Sequence, residues 1–457
     1  MGPEILILIE AALAMGLILF FIVNKDFTYG IYAWLVTSLL FKYQKISIVD
    51  SILPDMSLDR VLFAFLVVIF ILEILTRRRR IFSFTKVEYS MFLFCLAAVI
   101  SMIWTGTIVK EGGRLKIGEL LTGYIVPFFM FFISQNVYTN STPKREGFLK
   151  FILLIGIYLS FTAIFEHMRI NKLVFPRYIL DADFGIHFGR ARGPFCQAAV
   201  NGTVLGFVFS SVFYFLFNYN KSRIWKSYAI LLLAVTPLAI FFTYTRACWL
   251  GAMLGFMIIS LFTFKQSQKA FAITAVLFCM VAVLVAPSFL DDNTMAFAHE
   301  RFRHEEPVYD RLNLYVAYIN MFINNPIFGV GFLKFSENAS DYFADMDMEG
   351  MPFQYTELKE HDTFAGILAE MGLVGITLIL IIYVSILMAS IRLYKNLRAH
   401  NPEAKPIVVI FWGSMAVYVI NAVFIEMRYF EFVNSMFFIF AGIIYGWQRE
   451  YGEKTAS

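Results

Sequence analysis

The sequence predicts an all-α polytopic membrane protein, and three observations carry that prediction. Hydrophobic residues make up 59% of the chain and charged residues only 16%, with a mean hydropathy of +0.68; a soluble domain carries about 25% charged residues. Apolar runs long enough for a helix of about 20 residues to cross a bilayer recur along the whole chain. Basic clusters fall between successive pairs of those runs rather than at random.

The spans are expected near residues 5–23, 27–41, 60–76, 88–105, 117–135, 148–166, 197–217, 227–244, 247–264, 270–287, 363–390, 407–425 and 431–447. Met1–Glu4 has no basic stretch, so the first run reads as a retained span and not as a cleavable signal peptide. The second is short and polar-flanked; if it only re-enters the membrane, about thirteen spans become about twelve and the N-terminus changes side. Arg77–Arg80 with Lys86, Lys144 with Arg145 and Lys150, Lys221 with Arg223 and Lys226, Lys265 with Lys269, Arg392 with Lys395 and Arg398, and Arg449 with Lys454 then all lie on one side. The positive-inside rule makes that side cytoplasmic. Cys95, Cys196, Cys248 and Cys279 are scattered in or beside apolar runs and suggest neither disulfides nor a zinc site.

Two long segments remain for the outer side, 167–196 and about 288–362. The second exceeds an idle connection and reads as a small folded cap. Within it, LYVAYINMFINNPIFGVGFLKF is a helix ended by Asn-Pro and a glycine-flanked turn. The chain divides into N-terminal helices (1–166), central helices with the first outer loop (167–287), the large outer loop (288–362), and C-terminal helices with a tail (363–457).

Ionisable residues in spans are costly and mark function by default. Glu119, Glu166, Arg246, Glu370, Glu426, Arg428 and Glu431 all fall near outer span ends, and Glu73 is the main one near the inner face. A transporter binds its substrate near the midplane on broken helices, whereas this pattern concentrates polarity at the outer mouth. Arg190 and Arg192 in HFGRARGPF, Arg246 after TYT, and Arg311 in PVYDRLNLY are the outer arginines. Their planar donor forks suit a phosphate or pyrophosphate; all but Arg246, which begins a span with no acid nearby in sequence, are also read as snorkelling to headgroups or pairing with a local acid.

His361 stands at the entry to a strongly predicted helix and titrates near neutrality, which suits a base for an acceptor hydroxyl. Asp362 is better explained as the N-cap of that helix than as a catalytic partner. Glu370, about 12 Å further in at 1.5 Å per residue, is a candidate for an ion pair with an arginine of a neighbouring span. DMDMEG (345–350) opens like a calcium loop but has Thr356 where the twelfth-position acid belongs, so a solvated acidic loop is the better reading. Gly251 and Gly255 form a GxxxG that implies close helix packing.

With these residues laid out, the chain resembles the O-antigen ligase and O-antigen polymerase superfamily of bacterial envelope glycan enzymes. The resemblance rests on one large outer loop before the closing helices, and on three motifs. These are YTRACWLGAML (244–254), DRLNLYVAYINMFINNPIFGVGF (310–332) with its Arg-to-Asn-Pro-x-x-Gly-x-Gly pattern, and HDTFAGILAEMGLVG (361–375). It is strong over about residues 190–380, and the N-terminal spans match only in hydropathy.

The resemblance implies a GT-C-like enzyme of the bacterial inner membrane, with its active site facing the periplasm. Such enzymes move a glycan from undecaprenyl pyrophosphate to an acceptor hydroxyl, with inversion and with no metal, nucleotide sugar or other cofactor. Carried over, pyrophosphate binding falls on Arg246, Arg311 and Arg192, and hydroxyl activation on His361; Asp362, Glu370 and Arg190 support them. Asp362 departs from the family's usual Asn, and a negative charge there raises the pKa of a neighbouring histidine or simply caps the helix. The partners implied are the lipid-linked glycan donor, a glycan or lipid acceptor, the bilayer and envelope polysaccharide assembly proteins, with no nucleic acid. Polymerase is favoured over ligase because the acidic outer loop shows no basic patch for a phosphorylated acceptor. A transporter or flippase of lipid-linked sugars and a non-catalytic membrane scaffold are the competing readings.

Overall fold

The computed structural model describes residues 23, 25–41, 45–46, 56–108, 117–217, 222–264, 268, 306–342 and 361–456. Its helices are α1 (Phe27–Leu40), α2 (Leu58–Leu75), α3 (Lys86–Trp104), α4 (Gly118–Val137), α5 (Thr142–His167), α6 (Ala198–Phe217), α7 (Arg223–Phe241), α8 (Arg246–Thr263), α9 (Glu306–Asn324), α10 (Thr363–His400), α11 (Lys405–Phe424) and α12 (Glu431–Ala456). Among the described residues, α3 to α8, α10 and α11 are long and apolar enough to cross a membrane. The chain is a multi-pass membrane protein built from α-helices. One antiparallel bridge, Lys45–Ile46 against Met56–Ser57, links α1 to α2. The predicted spans 5–23 (all but Val23) and 270–287, and the DMDMEG stretch, lie outside the described residues.

Several helices begin where the sequence supplies a cap. Thr85 and Glu88 form a reciprocal capping box at the start of α3. The Ser141 hydroxyl accepts the Lys144 N–H at the start of α5, with a proline in its first turn. α1 is only 14 residues long, short for a straight crossing, as its polar flanks foreshadow.

The basic clusters around Arg79, Arg145 and Arg449 share one end of the bundle. Arg79 pairs with Glu73 at 2.6 Å and donates to the Asn136 carbonyl. Arg449 pairs with Glu88 at 3.2 Å, and Arg145 with Glu450. These bonds tie together the ends of α2, α4 and α12 and the starts of α3 and α5. The acids and arginines named above at outer span ends occupy the opposite face.

Close packing between helices is set by glycines. A Cβ at Gly442 or Gly446 of α12 would fall 2.4 or 2.1 Å from the α4 carbonyls of Phe131 and Gln135. Gly251 and Gly255 of α8 pack against Val417, Asn421 and Gly413 of α11. Small residues at i, i+4 let backbones approach where apolar side chains gain nothing over lipid.

Two helices are irregular. α4 contains a π-helical run, Leu121–Ile125, of the kind that widens a helix at functional sites. α10 breaks at Gly372, whose φ of 58° and ψ of −151° are non-helical. Both irregularities lie beneath the outer face.

Candidate active site

α10 begins at Asp362. Its Oδ1 accepts the N–H groups of Phe364 at 2.8 Å and Ala365 at 2.9 Å, so the carboxylate caps the helix. Its Oδ2 accepts the Tyr315 hydroxyl at 2.9 Å. Burial pushes the Asp362 carboxyl above the usual range, while the Ala365, Tyr315 and Phe364 hydrogen bonds pull it back. His361, next to it, is exposed, and its backbone N–H donates to the Tyr318 hydroxyl at 3.1 Å. His361 and Asp362 line a small pocket with Leu314, Tyr315 and Tyr318 of α9 and Val423 and Phe424 at the outer end of α11.

α9 stops at Asn324 because Asn325-Pro326 follows. The turn after it explains the glycines of NPIFGVG. In an unbroken α10, the carbonyls of Ala369 and Glu370 would receive the N–H groups of Leu373 and Val374. Here the carbonyls take Val330 N–H at 3.0 Å and Gly331 N–H at 2.9 Å; Leu373 and Val374 donate to Pro326 O at 2.8 Å and Ile327 O at 3.2 Å. The loop thus satisfies all four groups, as backbone buried away from water requires. A Cβ on Gly329 would meet the Glu370 backbone at 2.3 Å, and one on Gly372 the Ile327 backbone at 2.5 Å. Only glycine permits that contact.

Beneath this junction lies a buried charge cluster. Arg428, between α11 and α12, donates from Nη1 to Glu370 Oε2 at 2.6 Å and from Nη2 to Glu426 Oε2 at 3.3 Å. Glu370 Oε1 accepts the Phe335 N–H at 3.2 Å, and the Arg428 guanidinium lies over the Phe332 ring. The π-helical run of α4 makes room for this cluster, since a Cβ on Gly123 would fall 2.8 Å from the Arg428 carbonyl oxygen. The ion pair sought for Glu370 therefore exists, with the cap loop and Arg428 as its partners.

The outer arginines separate into two kinds. Arg192 is wholly buried, donating to Phe184 O at 2.8 Å, Ile179 O at 2.7 Å and Asp181 O at 2.9 Å, with Glu166 at 3.7 Å. It braces the loop between α5 and α6 from inside. Glu166 also accepts the Gly193 N–H at 2.9 Å. Arg190 is also buried, and the Ala191 N–H donates to the Phe242 carbonyl at 3.0 Å, tying the loop to the end of α7. Arg246, by contrast, is exposed as the first residue of α8.

The outer end of α11 joins these parts. Cys248, two residues after Arg246, donates its thiol to Asn421 Oδ1 at 3.3 Å, and Val423 and Phe424 just beyond face His361. The starts of α8 and α10 thus flank one helix end. Arg311 lies in α9, one turn before Tyr315 in the chain. Tyr315, Tyr318 and the hub role of Arg428 were not foreseen: tyrosines spaced three apart on an apolar helix look like packing until the bonds to the cap are seen.

Residues 229–380, a third of the chain, match the family model described as O-antigen ligase. The matched stretch contains Arg246, Arg311, His361, Asp362 and Glu370, and leaves out Arg190, Arg192 and Arg428. Comparison with curated proteins finds no match.

Proposed function

We propose that the chain, whose residues 229–380 match the family model described as O-antigen ligase, transfers a glycan from undecaprenyl pyrophosphate to an acceptor hydroxyl. The reaction takes place at the periplasmic face of the bacterial inner membrane, with the basic ends of the bundle in the cytoplasm. The observation that carries this reading is the seating of α9 on the start of α10. It sets the helix of Arg311 against the dipeptide His361–Asp362, through Tyr315 and Tyr318.

In this mechanism His361 accepts the proton of the acceptor hydroxyl. The oxygen attacks the anomeric carbon from the face opposite the leaving group, and the bond from that carbon to the pyrophosphate oxygen breaks with inversion. Undecaprenyl pyrophosphate departs with its charge neutralised by Arg246 and Arg311, guanidinium groups that do the work of a divalent cation. Asp362 caps the helix that presents His361. Arg190, Arg192 and Glu370 hold the surrounding loops. Polymerisation onto a second lipid-linked glycan is favoured over ligation to a lipid acceptor.

The interrupted α10 is the one feature a transporter of lipid-linked sugars would share. Its break, however, is filled by the protein's own backbone, and the charges beneath it are paired with one another. That favours a transferase.

The test is transfer from an undecaprenyl-pyrophosphate glycan to candidate acceptors by His361→Ala and Arg311→Ala at equal membrane levels. Both variants are expected to lose at least about two orders of magnitude in rate. Parental rates in both would exclude these residues from catalysis. Product length from the parent separates polymerase, which gives a ladder, from ligase, which gives a single addition.

A further inference from the structure

The N-terminus of α10 is held more firmly than a cap requires. An N-cap carboxylate needs one oxygen for the first-turn amides, and Asp362 Oδ1 already serves both Phe364 and Ala365. The second oxygen is bound by the Tyr315 hydroxyl, so the carboxylate cannot rotate without losing a charge-assisted bond. One residue earlier, Tyr318 binds the His361 amide.

The two tyrosines differ. Tyr318 is buried and stacks near Phe335 at 4.5 Å, within a small apolar cluster that also contains Leu314, Met321 and Ala369. Its role is largely packing. Tyr315 is 36% exposed and borders the His361 pocket, and the bond from its hydroxyl to Asp362 crosses from one helix to another. It stands one turn from Arg311, about 6 Å along the helix axis.

We propose that Tyr315 is a positioning residue. By fixing the Asp362 carboxylate, it sets where the His361 side chain projects and locks that projection to the helix carrying Arg311. Proton acceptor and leaving-group cradle are then held at one spacing, the preorganisation on which electrostatic and proximity catalysis depend. The proposal rests on the transferase reading above.

Two measurements on the full chain in proteoliposomes test it, each with Tyr315→Phe, which removes one oxygen and leaves the ring. Turnover of an undecaprenyl-pyrophosphate glycan is expected to fall about tenfold in kcat, with KM changed less than about twofold. In an Asp362→Ala background the same substitution is expected to have no further effect, because the two residues act as one unit. Hydrogen exchange at the Phe364 and Ala365 amides is expected to quicken in Tyr315→Phe, with no change at the basic end of α10. Parental kcat in Tyr315→Phe while His361→Ala is inactive would overturn the positioning role and spare the transferase reading. Additive losses in the double variant would overturn it as well. Full activity in His361→Ala would remove the transferase reading, and the proposal with it.

Discussion

Glu370 and Arg428 meet at 2.6 Å with both side chains closed to solvent, and they come from elements nearly sixty residues apart. Glu426 completes the group, so one guanidinium holds two carboxylates. Removing one partner of a buried pair strands the other. Glu370→Gln leaves Arg428 with Glu426 and is expected to cost about 3 kcal/mol. Arg428→Met leaves two buried carboxylates without a counter-charge and is expected to cost at least about 5 kcal/mol. Thermal unfolding in detergent ranks them; equal melting of Arg428→Met and the parent would contradict the hub.

Gly372 occupies backbone space that an L side chain rarely adopts, with the Ile327 backbone against it. Gly372→Ala is expected to destabilise by about 1–3 kcal/mol from strain, with overlap adding to that. Gly118→Ala is the control, since nothing lies within 4 Å of its Cβ position and its φ is ordinary. If the two variants melt together, the break in α10 is not enforced by the loop.

Asp362 serves as a cap whose charge is penalised by burial. Asp362→Ala is expected to lose about 1 kcal/mol, whereas Asp362→Asn keeps a good cap without the buried charge. Because burial raises the folded-state carboxyl above its unfolded value, the folded state binds the proton more readily, so the charge penalty sets in as pH rises past the unfolded value and is complete above the raised one. Asp362→Asn should therefore gain on the parent at neutral pH and lose that gain as pH falls into the carboxylate range. A gain that grows on acidification would reverse the sign and refute the account.

Arg192 and Arg246 should fail differently. Arg192→Ala strips three loop carbonyls of their donor and is expected to cost about 3 kcal/mol or more, seen as lower membrane levels and earlier melting. Arg246→Ala, at an exposed helix start, should stay within about 0.5 kcal/mol of parental stability while raising the KM for the lipid-linked donor. Loss of folding in Arg246→Ala would make it a structural residue.

The spans that α3 to α8, α10 and α11 supply were legible because hydropathy acts locally: the start of α3, the GxxxG of α8 and the Asn-Pro stop of α9 all stand where local rules put them. The outer-end position of Glu370 and Arg428 was legible too, but their mutual bond was not, since nothing in either segment specifies the other. Arg192 shows the same limit from the other side. A guanidinium in a loop reads as a ligand for phosphate until the fold shows three carbonyls around it. Glycines in NPIFGVG announced a turn, and the tertiary structure alone reveals that the turn replaces two rungs of a helix.

That replacement makes residues 325–335 and 361–375 interchangeable only as a pair. Each segment supplies main-chain groups that the other lacks, so a chimaera importing the loop without its helix, or the helix without its loop, would leave donors and acceptors stranded at membrane depth. Exchanged together, the two keep each other's main-chain partners, while Glu370 still needs Arg428 from outside both segments.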